Sequence, residues 1–302
     1  MNWKTVCKSL LTVPLFAALV SCAPQTRWGD KIIVCGDCEL YVVDVSRSTE
    51  DSLAVDWHWS IYDEGVRMPD GYEERTWSID DCKPVCGGTK ILATSGGGST
   101  LLIDMADKHV EFYAHTPMAH SAEMLPGNRI AVASSTHAGG NSLELYEVGR
   151  NEEVIWKDSL YFGHGVVWSE KYKSLYALGY DELRRYSLKD WDSSNPGLNL
   201  EETFCLPSPY GHELSHAGQD MLLVSGHGNV FIFNMKDGSF EPFEPLKDVK
   251  DVKSANWNPE TGRLVYTKAE NSWWTDHVYL ENPGKTLTFR EGFHLYKCRV
   301  LE

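Results

Sequence analysis

The segment Arg129-Ile130-Ala131-Val132-Ala133, followed across a turn by Leu143-Glu144-Leu145-Tyr146 and then by Val154-Ile155-Trp156, decides the fold. Each piece is short, largely apolar and bounded by turn-forming residues, as β-strands are. The same inner pair recurs at 90–94 with 101–104, 174–178 with 183–186, 221–225 with 230–233, and 263–267 with 277–280. The period is about 40 residues, with one strand before each pair and another after it, which is the pattern of a β-propeller.

The first unit starts one strand short. Ile32-Ile33-Val34-Cys35 and Leu40-Tyr41-Val42-Val43 match the second and third strands with nothing suitable ahead of them. Phe293-His294-Leu295-Tyr296-Lys297-Cys298-Arg299-Val300 is left over at the other end. The expectation is therefore an all-β, six-bladed propeller of four-stranded antiparallel blades, a single domain over 31–302. Its ring closes when the C-terminal strand pairs beside 32–35, which hides two sheet edges. Cys35 and Cys298 would then lie on neighbouring strands, and a disulfide between them is expected. The pairs Cys35/Cys38 and Cys82/Cys86 also have spacings a zinc ion accepts. Their strand-like context, without framing glycines, favours disulfides or buried thiols.

Lys4 and Lys8 precede an apolar run from Leu10 to Val20 that is too short for a transmembrane helix and reads as a targeting signal over 1–21. Its end, Leu19-Val20-Ser21-Cys22, resembles the lipobox of bacterial lipoproteins, in which the cysteine thiol accepts lipid. An ordinary secretory signal ending in Ala18-Leu19-Val20-Ser21 is the alternative. The resemblance implies lipidation at Cys22, a tether over 22–30, and a location in the cell envelope on the periplasmic or surface face of the outer membrane. Membrane contact would come through the N-terminal lipid alone, and a monomer is expected. With 28 Lys and Arg against 43 Asp and Glu, the formal net charge is −15. That argues against nucleic acid as a general partner.

Inside this acidic chain the cations keep step with the repeat. Lys83, His120, His164, His212 and Lys253 each fall eight to eleven residues before the first large aliphatic of a second strand, and His294 takes the matching place on the closing strand. One such residue per blade would line the central channel. His137, Tyr180 and His227, in turns between second and third strands, would stand near the same mouth. A lone histidine at such a place is usually a structural hydrogen-bonder. Recurrence is what points to a site.

A ring of His and Lys suits an anion, because its groups donate hydrogen bonds where solvent is partly excluded. An anionic small molecule or an acidic oligosaccharide is the expected ligand, and three converging imidazoles offer an alternative, a divalent metal. If the protein is an enzyme, a lyase of uronate sugars follows. Lys83 and Lys253 would neutralise the carboxylate, His120, His164 and His212 would supply the base or hold the metal, and Tyr180 would protonate the leaving oxygen. Glu123 and Glu213 are further acid or base candidates for a hydrolase. A non-catalytic propeller that binds a glycan or a protein, and sulfuryl transfer by a histidine, remain alternatives.

The segments Ala119-His120-Ser121-Ala122-Glu123-Met124-Leu125-Pro126-Gly127-Asn128 and Gly163-His164-Gly165-Val166-Val167-Trp168, with the lipobox and closing strand, resemble an uncharacterised group of six-bladed propeller lipoproteins from Bacteroides-type bacteria. The histidines at the blade starts are distantly similar to those of oligogalacturonate lyases and arylsulfotransferases. The lyases have seven blades, and their metal site cannot be matched residue by residue, so no catalytic role is carried over.

Overall fold

Each repeat forms a four-stranded antiparallel sheet in a computed structural model that describes residues 27–50 and 52–301. The signal, Cys22 and the first part of the tether lie outside the described residues. Blade 1 comprises β1 (Lys31–Gly36), β2 (Glu39–Asp44) and β3 (Ala54–Ser60), with β24 (Leu295–Val300) as its innermost strand. Blade 2 comprises β4 (Ile79–Val85), β5 (Lys90–Ser95), β6 (Ser99–Asp104) and β7 (Val110–His115). Blade 3 comprises β8 (Ala119–Leu125), β9 (Arg129–Ser134), β10 (Ser142–Glu147) and β11 (Trp156–Ser159). Blade 4 follows with β12 (Gly165–Ser169), β13 (Ser174–Leu178), β14 (Glu182–Lys189) and β15 (Gly197–Cys205). Blade 5 has β16 (Glu213–His216), β17 (Met221–Ser225), β18 (Val230–Asn234) and β19 (Phe240–Pro242). Blade 6 has β20 (Val252–Trp257), β21 (Leu264–Lys268), β22 (His277–Glu281) and β23 (Lys285–Thr288).

The ring closes as the repeat implies, with β24 antiparallel to β1. The core is six wedges, one between each pair of adjacent blades. Ala131, Leu143, Val166, Leu175 and Tyr186 fill the wedge between blades 3 and 4, and Ile32, Val34, Val265, Leu280 and Cys298 fill the one that joins blade 6 to blade 1. A sheet covered on both faces needs apolar residues on both, which is why the second strands read as continuous apolar runs rather than alternating ones. At the axis the inner strands approach closely. A Cβ on Gly165 would lie 2.5 Å from Leu214 Cβ, so β12 and β16 can be this near only because position 165 is glycine.

The expected Cys35–Cys298 disulfide is not formed, and both thiols are free and buried. The register explains it. Cys298 stands opposite Val34 while Cys35 stands opposite Lys297, so the two thiols point to opposite faces of the sheet. Cys35 packs in the wedge between blades 1 and 2, beside Cys82, and Cys298 in the wedge toward blade 6. Cys38, Cys82, Cys86 and Cys205 are also free.

Candidate functional site

Six inner strands run from an upper mouth, ringed by the loops that lead into them, to a lower mouth. Register defines the uppermost ring of side chains. In β4, β8, β20 and β24 the pairing skips one residue, respectively Asp80, His120, Lys253 and Tyr296. Such bulges re-aim a side chain out of the ladder. In blades 4 and 5 the equivalent residues, His164 and His212, sit just ahead of the strand, and their N–H groups bond to the carbonyls of Leu178 and Ser225. The chain reaches several of these positions through a left-handed residue two places earlier: Met118, Phe162, Tyr210 and Asp251 all have φ between 54° and 63°. For Phe162 and Tyr210 that conformation is strained, as backbone at functional sites often is.

The ring is continuous. The His120 and His164 imidazoles meet edge to face at 4.3 Å between centroids, and His164 and His212 at 5.0 Å. Lys253 Nζ lies 6.0 Å from the centre of the Tyr296 ring, which in turn lies 6.2 Å from His120. Asp80 Oδ2 is 3.1 Å from His120 Nδ1. Phe162 stacks on His164 at 4.0 Å. Thus the ring holds His120, His164, His212 and Lys253 as the repeat implies, with Asp80 and Tyr296 where Lys83 and His294 were expected.

Lys83 is three residues farther down β4. Its ammonium donates to Glu123 at 2.9 Å and to the Val166 carbonyl, which commits both Lys83 and Glu123 to each other. His294 stands two residues above Tyr296, with Nδ1 2.7 Å from Asp37 Oδ1 and Trp274 edge-on at 4.4 Å. His227 and Tyr180 do stand over the mouth. His227 Nδ1 is 2.9 Å from Asp251, and its ring is 6.5 Å from His212, while Tyr180 packs at 4.6 Å on Tyr210 beside Phe162. His137 is exposed in its turn, against the Ala138 carbonyl at 2.6 Å. Among the described residues no group of three or more His, Cys, Asp or Glu is arranged to hold a metal ion, so the imidazoles are adjacent without forming a ligand set.

Burial governs the electrostatics. Desolvation, with help from Lys297 and Lys253, pushes His120 down to about 4. Desolvation and the neighbouring imidazoles hold His164 well below its usual value, and desolvation with Lys253 does the same for His212. At neutral pH all three are uncharged. Lys253 falls to about 8, chiefly through burial, and the Asp80 carboxyl rises to about 7 for the same reason.

Below the ring the channel is plugged by ion pairs. Arg299 bonds Asp81 at 2.7 Å and grips Glu213 with both terminal nitrogens, while Lys297 is 3.2 Å from Glu213. Ser121 Oγ donates to Asp81 at 2.9 Å. Every one of these side chains is buried, and Glu213 is thereby used as a counter-ion. The contrast with the ring is sharp. Among the described residues Lys253 has no ion-pair partner and makes no hydrogen bond, and the Nδ1 atoms of His120 and His212 are buried without a hydrogen bond.

Residues 41–302 match a protein family described as a family of unknown function, DUF6528. The chain belongs to that family. Among solved structures, the β-propeller domain of Cps50 (Swd1) from Myceliophteria thermophila is similar, with 13% identity over 80% of this chain and 90% of that one at a TM-score of 0.51. At that identity the likeness shows the propeller fold alone. No curated protein matches the chain significantly. DUF6528 membership and the propeller neighbour bring no activity with them, so the function is read from the ring.

Proposed function

We propose that the ring at the upper mouth binds the acidic group of a uronate-containing oligosaccharide. One observation carries this reading: Lys253, 6% exposed, has neither a hydrogen bond nor an ion pair, while two imidazole nitrogens beside it are buried without hydrogen bonds. Leaving a buried polar group such as these imidazole nitrogens unmet costs about 1–3 kcal/mol, and a ligand carboxylate would meet the Lys253 ammonium directly. The surrounding face favours a sugar over a bare inorganic anion. The exposed aromatic side chains Tyr62, Trp77, Tyr161, Tyr210 and Trp273 all sit in the loops of the upper face, where flat rings can stack on pyranose faces. The exposed large aliphatics Val55, Val154 and Leu200 lie on the outer edges of the blades.

A second reading, β-elimination at the same site, is favoured by the neutral imidazole of His120 in a ring with Lys253. Lys253 would neutralise the carboxylate, and His120 would take the C5 proton. The C4–O bond would break as a C4–C5 double bond forms. Tyr180, whose hydroxyl is held to about 12 by its bond to Tyr210, keeps its proton and would deliver it to the leaving oxygen. With lipid on Cys22, a tether over 22–30 that joins β1 at the lower face would point the upper ring away from the membrane, toward soluble glycan.

The test is calorimetric titration of the full chain with oligogalacturonate, oligoglucuronate and their neutral counterparts, followed by ultraviolet absorbance for an unsaturated uronate. Preferential binding of the acidic sugars that Lys253→Met weakens about tenfold or more supports the anion site. Absorbance that His120→Asn abolishes supports elimination. Equal binding of acidic and neutral sugars, or full binding by Lys253→Met, overturns the reading.

A further inference from the structure

The lower mouth opens into a cavity of about 640 Å³, within the range of roughly 300–1,000 Å³ typical of small-molecule sites. The ion-pair plug separates it from the upper ring, and the upper ring's ligand makes no use of it. Its floor is the third layer of the inner strands, including Lys83, Glu123 and Arg299. Trp28 and Trp257, the latter the last residue of β20, line its walls. Phe243 braces Trp257 at 5.1 Å.

Charge and hydrogen bonding decide what fits there. The floor cations are engaged, Lys83 by Glu123 at 2.9 Å and Arg299 by Asp81 at 2.7 Å and Glu213 at 3.1 Å. No cation remains to favour an anion, in contrast to Lys253 above. Apart from Glu260, an exposed carboxylate with no ion pair among the described residues, the polar groups left for a ligand are neutral or matched. The indole N–H groups of Trp28 and Trp257, two of the lining residues, make no hydrogen bond among the described residues, which leaves two donors without a protein partner. His216 Nε2 lies 3.0 Å from the Trp168 carbonyl. Nε2 must therefore carry the proton, which leaves Nδ1 as an acceptor. Glu123 meets Lys83 through Oε2 alone, and Oε1 is a second acceptor.

We infer that the lower cavity is a second binding site, for a neutral sugar of one or two hexose units, packed against Trp28 and Trp257. Flat indole faces match the C–H faces of a pyranose, the neutral donors and acceptors match its hydroxyls, and the Glu260 carboxylate in the same lining accepts further hydroxyls while repelling an anion. The inference is independent of the upper ring.

Calorimetric titration of the full chain with glucose, galactose, cellobiose and galacturonate tests it. Binding of at least one neutral sugar with Kd of about 1 mM or tighter is expected. Trp28→Ala and Trp257→Phe should each weaken it by about tenfold, the second keeping the aromatic packing while removing the N–H. Lys253→Met should leave it unchanged, which separates this site from the upper one. No heat with any neutral sugar, binding unaltered in both tryptophan variants, or tighter binding of galacturonate by Lys253→Met would each overturn the assignment.

Discussion

Asp80 Oδ2 stands 3.1 Å from His120 Nδ1, yet the approach is off the ring N–H direction, and Nδ1 has no hydrogen bond. The carboxyl is instead oriented by Ser78, whose hydroxyl donates to Oδ1 at 3.1 Å. Burial raises Asp80 to about 7 and lowers His120 to about 4. Near neutral pH the proton therefore sits on the carboxyl rather than on the imidazole, the reverse of an ordinary Asp–His ion pair. His120 is thus kept neutral, with the lone pair of one nitrogen available, beside a group that can hold one proton in reserve.

Gly96 makes that arrangement possible. A Cβ there would come 2.5 Å from Asp80 Oδ2 and 3.6 Å from His120 Cε1. Gly96→Ala should displace the carboxyl and destabilise the fold by about 1–3 kcal/mol through overpacking. It should also shift the His120 titration, followed by the NMR resonance of its ring proton. An unchanged titration with an unchanged unfolding midpoint would mean that Asp80 does not act on His120.

Lys253 is the ring's stability liability. Burial depresses it to about 8 against an ordinary 10.5. Below its unfolded value the unfolded chain holds this proton more readily than the folded one, so the charged ammonium destabilises the fold at neutral pH. Replacement by methionine keeps the stem and should stabilise the protein by about 1–3 kcal/mol while weakening the binding of acidic sugars. Denaturant midpoints and calorimetry on the same sample check both halves. A loss of stability would mean that Lys253 has a protein partner after all.

The propeller, its ring closure and four of the six ring positions were legible because they repeat. Lys83 was misplaced for a visible reason: it precedes Ile91 by eight residues, where the other blade-start cations precede their aliphatics by ten or eleven. Counting back eleven from Ile91 lands on Asp80, the true ring member. An aspartate at that place carries no cationic mark in the sequence. Tyr296 was hidden by the bulge opposite Cys35 and Gly36, because a skipped residue moves every later side chain by one place. The disulfide fails for a simpler reason, since in the unbroken register Cys298 faces Val34 and Cys35 faces Lys297, one place apart and on opposite faces. Asp81, Lys297 and Arg299 carry no periodic mark, since each belongs to one blade and finds its partners across the channel.

The three histidines set a pH dependence. Unfolded, each takes up a proton as pH falls through about 6.5, whereas folded His120 waits until about 4 and His164 and His212 are held well below their usual value. Stability present above 6.5 is therefore lost as pH falls toward 4. Asp80 acts oppositely over part of this window, since its folded carboxyl binds a proton already near 7, and it offsets about one histidine. Lower denaturant midpoints at pH 5 than at pH 7, with a shallower fall in His164→Gln, are expected. A flat profile between these values would show that the imidazoles are solvated.

The ion-pair plug gives the most decisive test of how the ring is held in place. Arg299 on blade 1 joins Asp81 of blade 2 to Glu213 of blade 5, so one side chain ties strands on different sides of the channel. Glu213 directly follows His212, and Asp81 follows Asp80, which means that the same contacts fix two ring positions. Desolvating these charges is costly, and buried pairs often add little net stability over apolar packing. Removing one partner is different, because it strands the others. Arg299→Ala leaves Asp81 and Glu213 with Lys297 alone, 4.0 and 3.2 Å away, and should cost about 3–5 kcal/mol. Because every member is buried, salt should barely screen the effect, unlike a surface pair. Unfolding midpoints of Arg299→Ala and of the wild type, each measured at low and at high salt, check this. A loss below about 1 kcal/mol, or one that vanishes in salt, would mean that water enters the channel and that the plug does not position the ring.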